Sequence, residues 1–464
     1  MKIKSIHETA KDTKTRLHLL PVNERIQADK KHLACTISIN PSRTFQSIEG
    51  FGGALTESSG YVLSLVPAEK RKEALCAYFS AETGNRYTLA RTHMNSCDFS
   101  LENWACVEQA DESLASFSME RTDKYITPLI KEAKECTGGS LRLMVSPWSP
   151  PAWMKDNGEM NNGGRLLKKY YSLWAAYFVR FIEELKKRGI DTWALSIQNE
   201  PEAKQTWDSC LWTAEEEGEF AALHLGPALE KHAGSGKRPD IYVWDHNRDR
   251  LWERFSESMT VSGADKFIDG AAFHWYSGDQ YESLAKISGA FPGKGLLFTE
   301  GCIEGGPRPG AWFSGERYAH NIINDLNHGC TGWIDWNIAL DMQGGPNHVG
   351  NYCDAPILVD TKSGELHYNS SYYYIGHFSR FIKPKAQRVE FTVNSYMTPA
   401  TIDGRMGNMA EFCSFKNSDG SLVLVVMNRT EADLVYEICS GCKTTDTAVV
   451  KCPPRGIQSL ILAI

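Results

Sequence analysis

The sequence predicts an α/β fold: a (β/α)8 TIM barrel with a small antiparallel β-sandwich side domain. Three observations predict it. From about Phe45 to Phe381, short apolar runs alternate with longer amphipathic ones, the pattern of repeated βα units. Eight strand-like runs fall in that stretch, the number a closed barrel needs. After Lys385 the texture changes to short strand-like runs split by turn residues. At 464 residues the chain can bury one large core and a smaller one. The expected division is 45–383 for the barrel and 1–44 plus 384–464 for the side domain.

The candidate barrel strands are 48–55, 87–93, 141–146, 193–198, 241–245, 270–274, 296–300 and 332–337. A doubly wound sheet would more often carry a glycine-rich phosphate loop after its first strand. Ile48-Glu-Gly-Phe-Gly-Gly lacks the Gly-x-Gly-x-x-Gly spacing and reads as a tight turn. The clearest helix spans 166–188, where Trp174, Tyr177, Phe178, Phe181, Ile182 and Leu185 recur at helical spacing. Their bulk marks a barrel-facing side rather than a cofactor box. Another helix starts at Thr213-Ala-Glu-Glu216, a capping box, and is expected to stop near Gly234. Trp193 and Trp275 read as core packing.

The side domain draws on runs 409–415, 421–427, 432–438, 447–450 and 457–462. Asn-Ser-Asp-Gly, Cys-Ser-Gly-Cys and Pro-Pro-Arg-Gly turns separate them. The strand-like 33–39 has no following helix and is expected to join the same sheet.

Composition narrows the function. A formal charge of −7 gives no basic patch for nucleic acid and no polybasic segment for an anionic membrane. No stretch approaches the roughly 18 apolar residues of a membrane span. Thirteen scattered cysteines, together with an N-terminal stretch lacking a signal-peptide apolar run, predict a cytoplasmic protein with reduced thiols. Cys439-Ser-Gly-Cys442 has no second pair or histidine partner at zinc spacing and reads as a turn. No cluster has metal-ligand spacing, so no metal is expected.

The chemistry concentrates at strand ends. Glu200 closes Leu195-Ser-Ile-Gln-Asn-Glu, and Glu300 closes Gly295-Leu-Leu-Phe-Thr-Glu. An apolar run that leads straight into a carboxylate makes poor structural sense, because burying a lone charge is expensive. A barrel strand whose tip opens into a cleft resolves that cost. Two such tips suggest the paired acids of a glycosidase; two salt-bridged strand-end glutamates are the structural alternative. Arg91 and Asp98 follow the second strand and Trp148 the third. Asn199 precedes Glu200, His274 and Tyr276 end the sixth strand, and Trp336 and Asn337 end the eighth.

Seven segments in order carry a resemblance to a known family. They are Arg91-Thr-His-Met-Asn-Ser-Cys-Asp-Phe-Ser100, Ser146-Pro-Trp-Ser-Pro-Pro-Ala-Trp-Met-Lys155, Asn199-Glu-Pro201, His274-Trp-Tyr276, Thr299-Glu-Gly-Cys302, Gly332-Trp-Ile-Asp-Trp-Asn337 and Gly344-Gly-Pro-Asn347. Together they resemble glycoside hydrolase family 30, in its glucosylceramidase-like branch of bacterial type. The resemblance implies a retaining β-D-glycosidase working by double displacement, with Glu200 as general acid/base and Glu300 as nucleophile. It places Asp98, Trp148, Trp336 and Asn351 around the non-reducing sugar and implies no cofactor. On that reading Arg91 and Tyr276 lower the Glu300 pKa, and anionic Glu300 raises that of Glu200. Asn199 suits the sugar 2-hydroxyl. His274 suits Glu300, a sugar hydroxyl or a structural role.

The expected partner is a small β-glycoside or oligosaccharide, cleaved by an exo-acting β-glucosidase or glucosylceramidase-like enzyme. Residues 202–210 depart from lysosomal members and are closer to bacterial members and fungal β-1,6-glucanases; His348 stands where lysosomal members carry tryptophan. Endo-β-1,6-glucanase, β-xylosidase and β-fucosidase are therefore the alternatives. An inactive sugar-binding barrel is the competing class, and the presence of both glutamates, Asn199 and Tyr276 argues against it.

Overall fold

Eight of the apolar runs pair side by side as parallel strands and close into a barrel. They are β1 (Gly50–Ala54), β2 (Leu89–Met94), β3 (Arg142–Pro147), β4 (Thr192–Ser196), β5 (Asp240–Asn247), β6 (Ile268–His274), β7 (Gly295–Glu300) and β8 (Gly332–Asn337). The structure, a computed structural model, describes residues 2–27, 32–395, 400–402, 405–407, 409–440 and 443–463. The chain parts into two compact units. One comprises Met1–Gly50, Gly310–Thr331 and Tyr368–Ile464; the other comprises Phe51–Pro309 and Gly332–His367.

The barrel interior holds a layer built from Leu89, Met144, Ala194, Tyr242, Ala272, Leu297 and Ile334, one residue from each of seven strands. Their burial on all sides explains why the runs read as continuously apolar rather than alternating. The glycines of Ile48-Glu-Gly-Phe-Gly-Gly lie in β1 itself, not in a turn. A Cβ on Gly52 would stand 2.1 Å from the Leu89 carbonyl oxygen, so the adjoining strand leaves no room for a side chain.

The aromatic helix forms over Tyr171–Lys187, and all six side chains singled out by their spacing are buried. Each contributes about 1.5–3 kcal/mol by leaving water. The capping box also forms. The Glu216 amide donates to Thr213 Oγ1 at 3.1 Å, and the Thr213 amide donates to Glu216 Oε2 at 2.8 Å. The helix runs Ala214–Phe220, widens into a π turn over Ala221–Leu225, and continues as Gly226–Ala233 before Gly234 ends it. Trp275 is buried against Phe298 and Trp333, while half-buried Trp193 is covered by the Arg142 guanidinium at 3.9 Å.

The other unit is a ten-stranded sheet. Its order is His18–Leu20, Lys2–Ala10, Gly456–Ala463, Leu422–Asn428, Ala410–Lys416, Gln387–Ser395, Leu33–Ser47, Leu434–Ser440, Lys443–Cys452 and Ile26–Gln27. Every neighbour pair is antiparallel except Leu33–Ser47 with Leu434–Ser440. The sheet curls into a sandwich, because strands from both ends of that order feed one core that includes Ile6, Ile37, Leu424, Tyr436, Val450 and Leu460. Helices Trp312–Asn327 and Ser370–Ser379 belong to this unit. The Trp312 Nε1–H donates to the Arg455 carbonyl, and His377 lies between Ser459 and Thr9. Gly441 and Cys442, half of the Cys-Ser-Gly-Cys turn, lie outside the described residues.

Candidate active site

A cavity of about 240 Å³ opens at the C-terminal ends of the barrel strands, and Glu200 and Glu300 both line it. Asp98, Trp148, Asn199, Tyr276, Trp336 and Asn351 line it too. Arg91 and His274 do not. Both are fully buried, Arg91 bonded to Glu300 and Asp245, and His274 to Glu200 and Asp245.

Arg91 is the hub of the wall. Its Nη1 donates to Glu300 Oε2 at 2.8 Å, and its Nη2 donates to Asp245 Oδ2 at 2.8 Å and to Asn199 Oδ1 at 2.7 Å. Its Nε donates to Ser146 Oγ at 3.1 Å. The guanidinium lies under Trp148 and Trp336, whose indoles stack 5.3 Å apart. The Tyr276 hydroxyl donates to Glu300 Oε1 at 3.0 Å, so each oxygen of that carboxylate has a fixed donor. Burial, then the charges of Cys302 and Glu300, pushes the Tyr276 phenol well up, which keeps it a donor.

Glu200 has different company. His274 Nδ1 lies 3.1 Å and His246 Nδ1 3.3 Å from Glu200 Oε1, and His274 Nε2 lies 3.1 Å from Asp245 Oδ1. Asp245 also accepts from Ser196 Oγ and Thr299 Oγ1, each at 2.5 Å. Across the cavity, the amides of Asn347 and Asn351 both donate to Asp98 Oδ2, at 3.1 and 3.2 Å.

These surroundings set the protonation. Burial raises Glu300, against the charges of His274 and Arg91, and the net direction is up. The sequence expectation was the reverse; burial, with the charge of Glu200 added to it, outweighs both Arg91 and His274. Burial also works to raise Glu200, but the His246 and His274 charges and hydrogen bonds outweigh it and hold that carboxyl below its ordinary range. Burial opposes charge on His274, yet Glu300, Asp245 and Glu200 together raise it to about 9. The proton expected on Glu200 therefore sits on the adjoining imidazole. Asp98 is pushed up to about 8 by burial and by the charge of Glu300.

Sequence reasoning passed over Asp245 and His246. Asp245 closes the apolar run 241–245 much as Glu200 follows its own, and that signal was available. His246 was hidden by a bulge: β6 pairs Ala272 with Trp244 and then Phe273 with His246, skipping Asp245. Trp244 and Asp245 take left-handed φ of 74° and 46°, and Glu200 one of 49°. Non-glycine residues held there cost of order 1–3 kcal/mol each, and such strain clusters at functional sites. The bulge sets Asp245 against Arg91 and His274 and the very next side chain, His246, against Glu200, which the two-residue period of a strand would separate. Gln205, Trp207, Glu304, Tyr352 and Cys353 also line the cavity.

Comparison with known proteins agrees with this architecture. Residues 48–382 match the glycosyl hydrolase family 30 TIM-barrel domain, and residues 385–460 match the family 30 β-sandwich domain. The lysosomal acid glucosylceramidase of Mus musculus is 33% identical over 432 residues, covering 89% of this chain and 81% of its own. SrfJ from Salmonella typhimurium superposes with a TM-score of 0.89 at 36% identity, over 99% of both chains. The endo-β1,6-glucanase BT3312 follows with a TM-score of 0.84 at 27% identity, again over 99% of both. A closed barrel with two carboxylates at its strand tips and a sandwich beside it in sequence is the architecture of a barrel glycosidase. The chain belongs to glycosyl hydrolase family 30 and is a retaining glycoside hydrolase. Among the described residues no helix is long and apolar enough to cross a membrane.

Proposed function

We propose that the chain is an exo-acting β-glucosidase of the glucosylceramidase-like branch, working in the cytoplasm on short β-glucosides. The observation that carries this reading is the different support given to two carboxylates in one cavity. Glu300, gripped by Arg91 and Tyr276, is the nucleophile that attacks the anomeric carbon. Glu200, bonded to His274, passes the proton held on that imidazole to the leaving oxygen and is then the base that activates water. Asn199, with Oδ1 fixed on Arg91, turns its Nδ2 to the sugar 2-hydroxyl. Asp98 with Asn351 takes hydroxyls at the far end, and the Trp148 and Trp336 indoles cover an apolar sugar face.

Cavity size supports exo action. About 240 Å³ is below the usual range for ligand pockets, roughly 300–1,000 Å³, and suits one terminal ring better than a chain. A second reading, endo-β-1,6-glucanase, draws support from Gln205 and Trp207, which lie on the cavity wall in the segment that departs from lysosomal members. Products separate the two. Exo action releases glucose from aryl β-glucosides and gentiobiose from the first minutes. Early mixed oligosaccharides from a β-1,6-glucan, with little activity on aryl glucosides, would promote the glucanase. Aryl β-xylosides and β-fucosides complete the panel; faster turnover on either would replace glucose as the assigned sugar.

A further inference from the structure

The group formed by Glu200, His246 and His274 has a second chemical capability. Their ligand atoms all lie within 4.8 Å of one another, although Glu200 comes from the loop after one strand, and His246 and His274 from two others. We propose that these three side chains form a binding site for a borderline transition-metal dication of the Zn²⁺ kind, which occupies the leaving-group end of the cavity and inhibits the enzyme. The inhibitory half rests on the role given to Glu200 above; the binding half does not.

Geometry is the first argument. A tetrahedral ion with bonds of about 2.0–2.1 Å sets its ligand atoms about 3.3 Å apart. Glu200 Oε1 stands 3.3 Å from His246 Nδ1 and 3.1 Å from His274 Nδ1, so two edges of the tetrahedron exist already. His246 Nδ1 is buried and meets no group other than the Glu200 carboxylate at which it is aimed. Support for the ligands is the second argument. His274 Nε2 is anchored on Asp245 Oδ1, the carboxylate–histidine arrangement that fixes tautomer and ring orientation in metal sites. Asp245 is itself held by Arg91, Ser196 and Thr299.

Charge is the third argument. Glu200, Glu300 and Asp245 bring three carboxylates together, and the Arg91 guanidinium bonds two of them. Metal binding displaces the proton from His274, and the two negative charges then left over are balanced by a dication. Two imidazoles and one carboxylate favour zinc or copper over magnesium or calcium, which prefer all-oxygen sites. Both Glu200 and His246 line the cavity, so the fourth coordination position faces it, as the fourth position of three-ligand zinc sites is open. A bound ion removes Glu200 from proton transfer and blocks the leaving group.

The test uses the full chain and the metal alone. Titration calorimetry with Zn²⁺ should show one site per chain, with no comparable heat from Mg²⁺ or Ca²⁺. His246→Gln should weaken that site by more than the roughly 10–100-fold that loss of an outer-shell partner costs. Cys76 and Cys136, whose sulfurs lie 3.6 Å apart, are an alternative thiol site, so Cys76→Ser should leave the affinity unchanged. Co²⁺ on the unaltered protein should give visible bands of a nitrogen–oxygen site without thiolate charge transfer, a readout that needs no variant. Absent Zn²⁺ binding, affinity retained in His246→Gln, or a thiolate band would overturn the proposal. With an active substrate, Zn²⁺ inhibition should be competitive, with an inhibition constant equal to the calorimetric one. A mismatch would overturn the inhibitory half, whereas failure on every glucoside with Zn²⁺ binding intact would count against the glucosidase reading alone.

Discussion

The two carboxylates of the cavity differ in what holds them. Glu300 accepts from a guanidinium and a phenol, donors that keep their protons across the physiological range. Glu200 faces two imidazoles, and that of His274, raised to about 9, holds a proton beside it. A nucleophile must present the same anion at every turnover, whereas an acid/base group must change state twice per cycle. The fixed donors are on the side that needs constancy, and the proton-exchanging partners are on the side that needs exchange. The chemistry is thus divided by the neighbours of two identical side chains.

Removing the fixed side should cost most. Glu300→Gln should lower turnover by about 10⁴-fold or more on every substrate, since the remaining side chains offer no replacement for the glycosyl ester. Steady-state kinetics on a good and a poor leaving group measures it, and unequal losses would reverse the two roles. Glu200→Gln should behave unequally by design. Poor leaving groups should lose about 10²–10⁴-fold, the usual share of general acid catalysis, while an activated aryl glucoside should form its glycosyl-enzyme at nearly the normal rate. Azide should restore turnover of that variant on the activated substrate and give a β-glycosyl azide. Uniform loss without azide rescue would remove Glu200 from the acid/base role.

A milder change probes the grip itself. Tyr276→Phe deletes one hydrogen bond to a charged oxygen, about 1.5–3 kcal/mol, and should slow formation of the glycosyl-enzyme by about 10- to 100-fold. The defect should appear in kcat more than in KM. An effect confined to KM would mean that the phenol binds sugar and does not steady the nucleophile.

Much of this was legible in the sequence, and the gaps have physical causes. The eight strands read clearly because burial on both faces makes them solidly apolar, and Glu200 and Glu300 stood out because charge at the end of such a run needs a cleft. The Tyr171–Lys187 helix and the Thr213 cap followed from spacing and from a two-way hydrogen bond that four residues encode. Sheet strands Lys2–Ala10 and Gln387–Ser395 carry too few apolar residues to register, and their partners decide them: one lies between His18–Leu20 and Gly456–Ala463, the other between Ala410–Lys416 and Leu33–Ser47. The place of His246 depends on a bulge and two left-handed residues, features that leave no periodic mark. The sequence also expected Arg91 to lower Glu300; it named the right neighbour and missed how strongly burial acts on that carboxyl.

The behaviour of imidazoles in the cavity has a counterpart in the sheet unit that gives the smallest effect. His377 is buried like His274, but its ring nitrogens meet the Ser459 and Thr9 hydroxyls, at 2.8 and 2.9 Å, rather than carboxylates. Burial, then the charges of His7 and Arg380, lowers it well below its ordinary 6.5, the opposite of the shift at His274. The sign follows from linkage. A group lowered in the fold contributes its full stability above its unfolded value and loses it as pH falls below 6.5, because the unfolded chain then binds a proton that the fold refuses. For one group the slope is at most about 1.4 kcal/mol per pH unit. His377→Gln keeps a donor and an acceptor for the two hydroxyls and cannot titrate. Urea unfolding at neutral pH and near pH 5 should therefore show a gentler acid loss in the variant than in the parent chain. His7, lowered to about 4, and the lowered His93 and His224 contribute to the acid sensitivity that remains. Equal losses in both proteins would mean that His377 enters the fold already charged, and that burial without a carboxylate does not decide the state of an imidazole here.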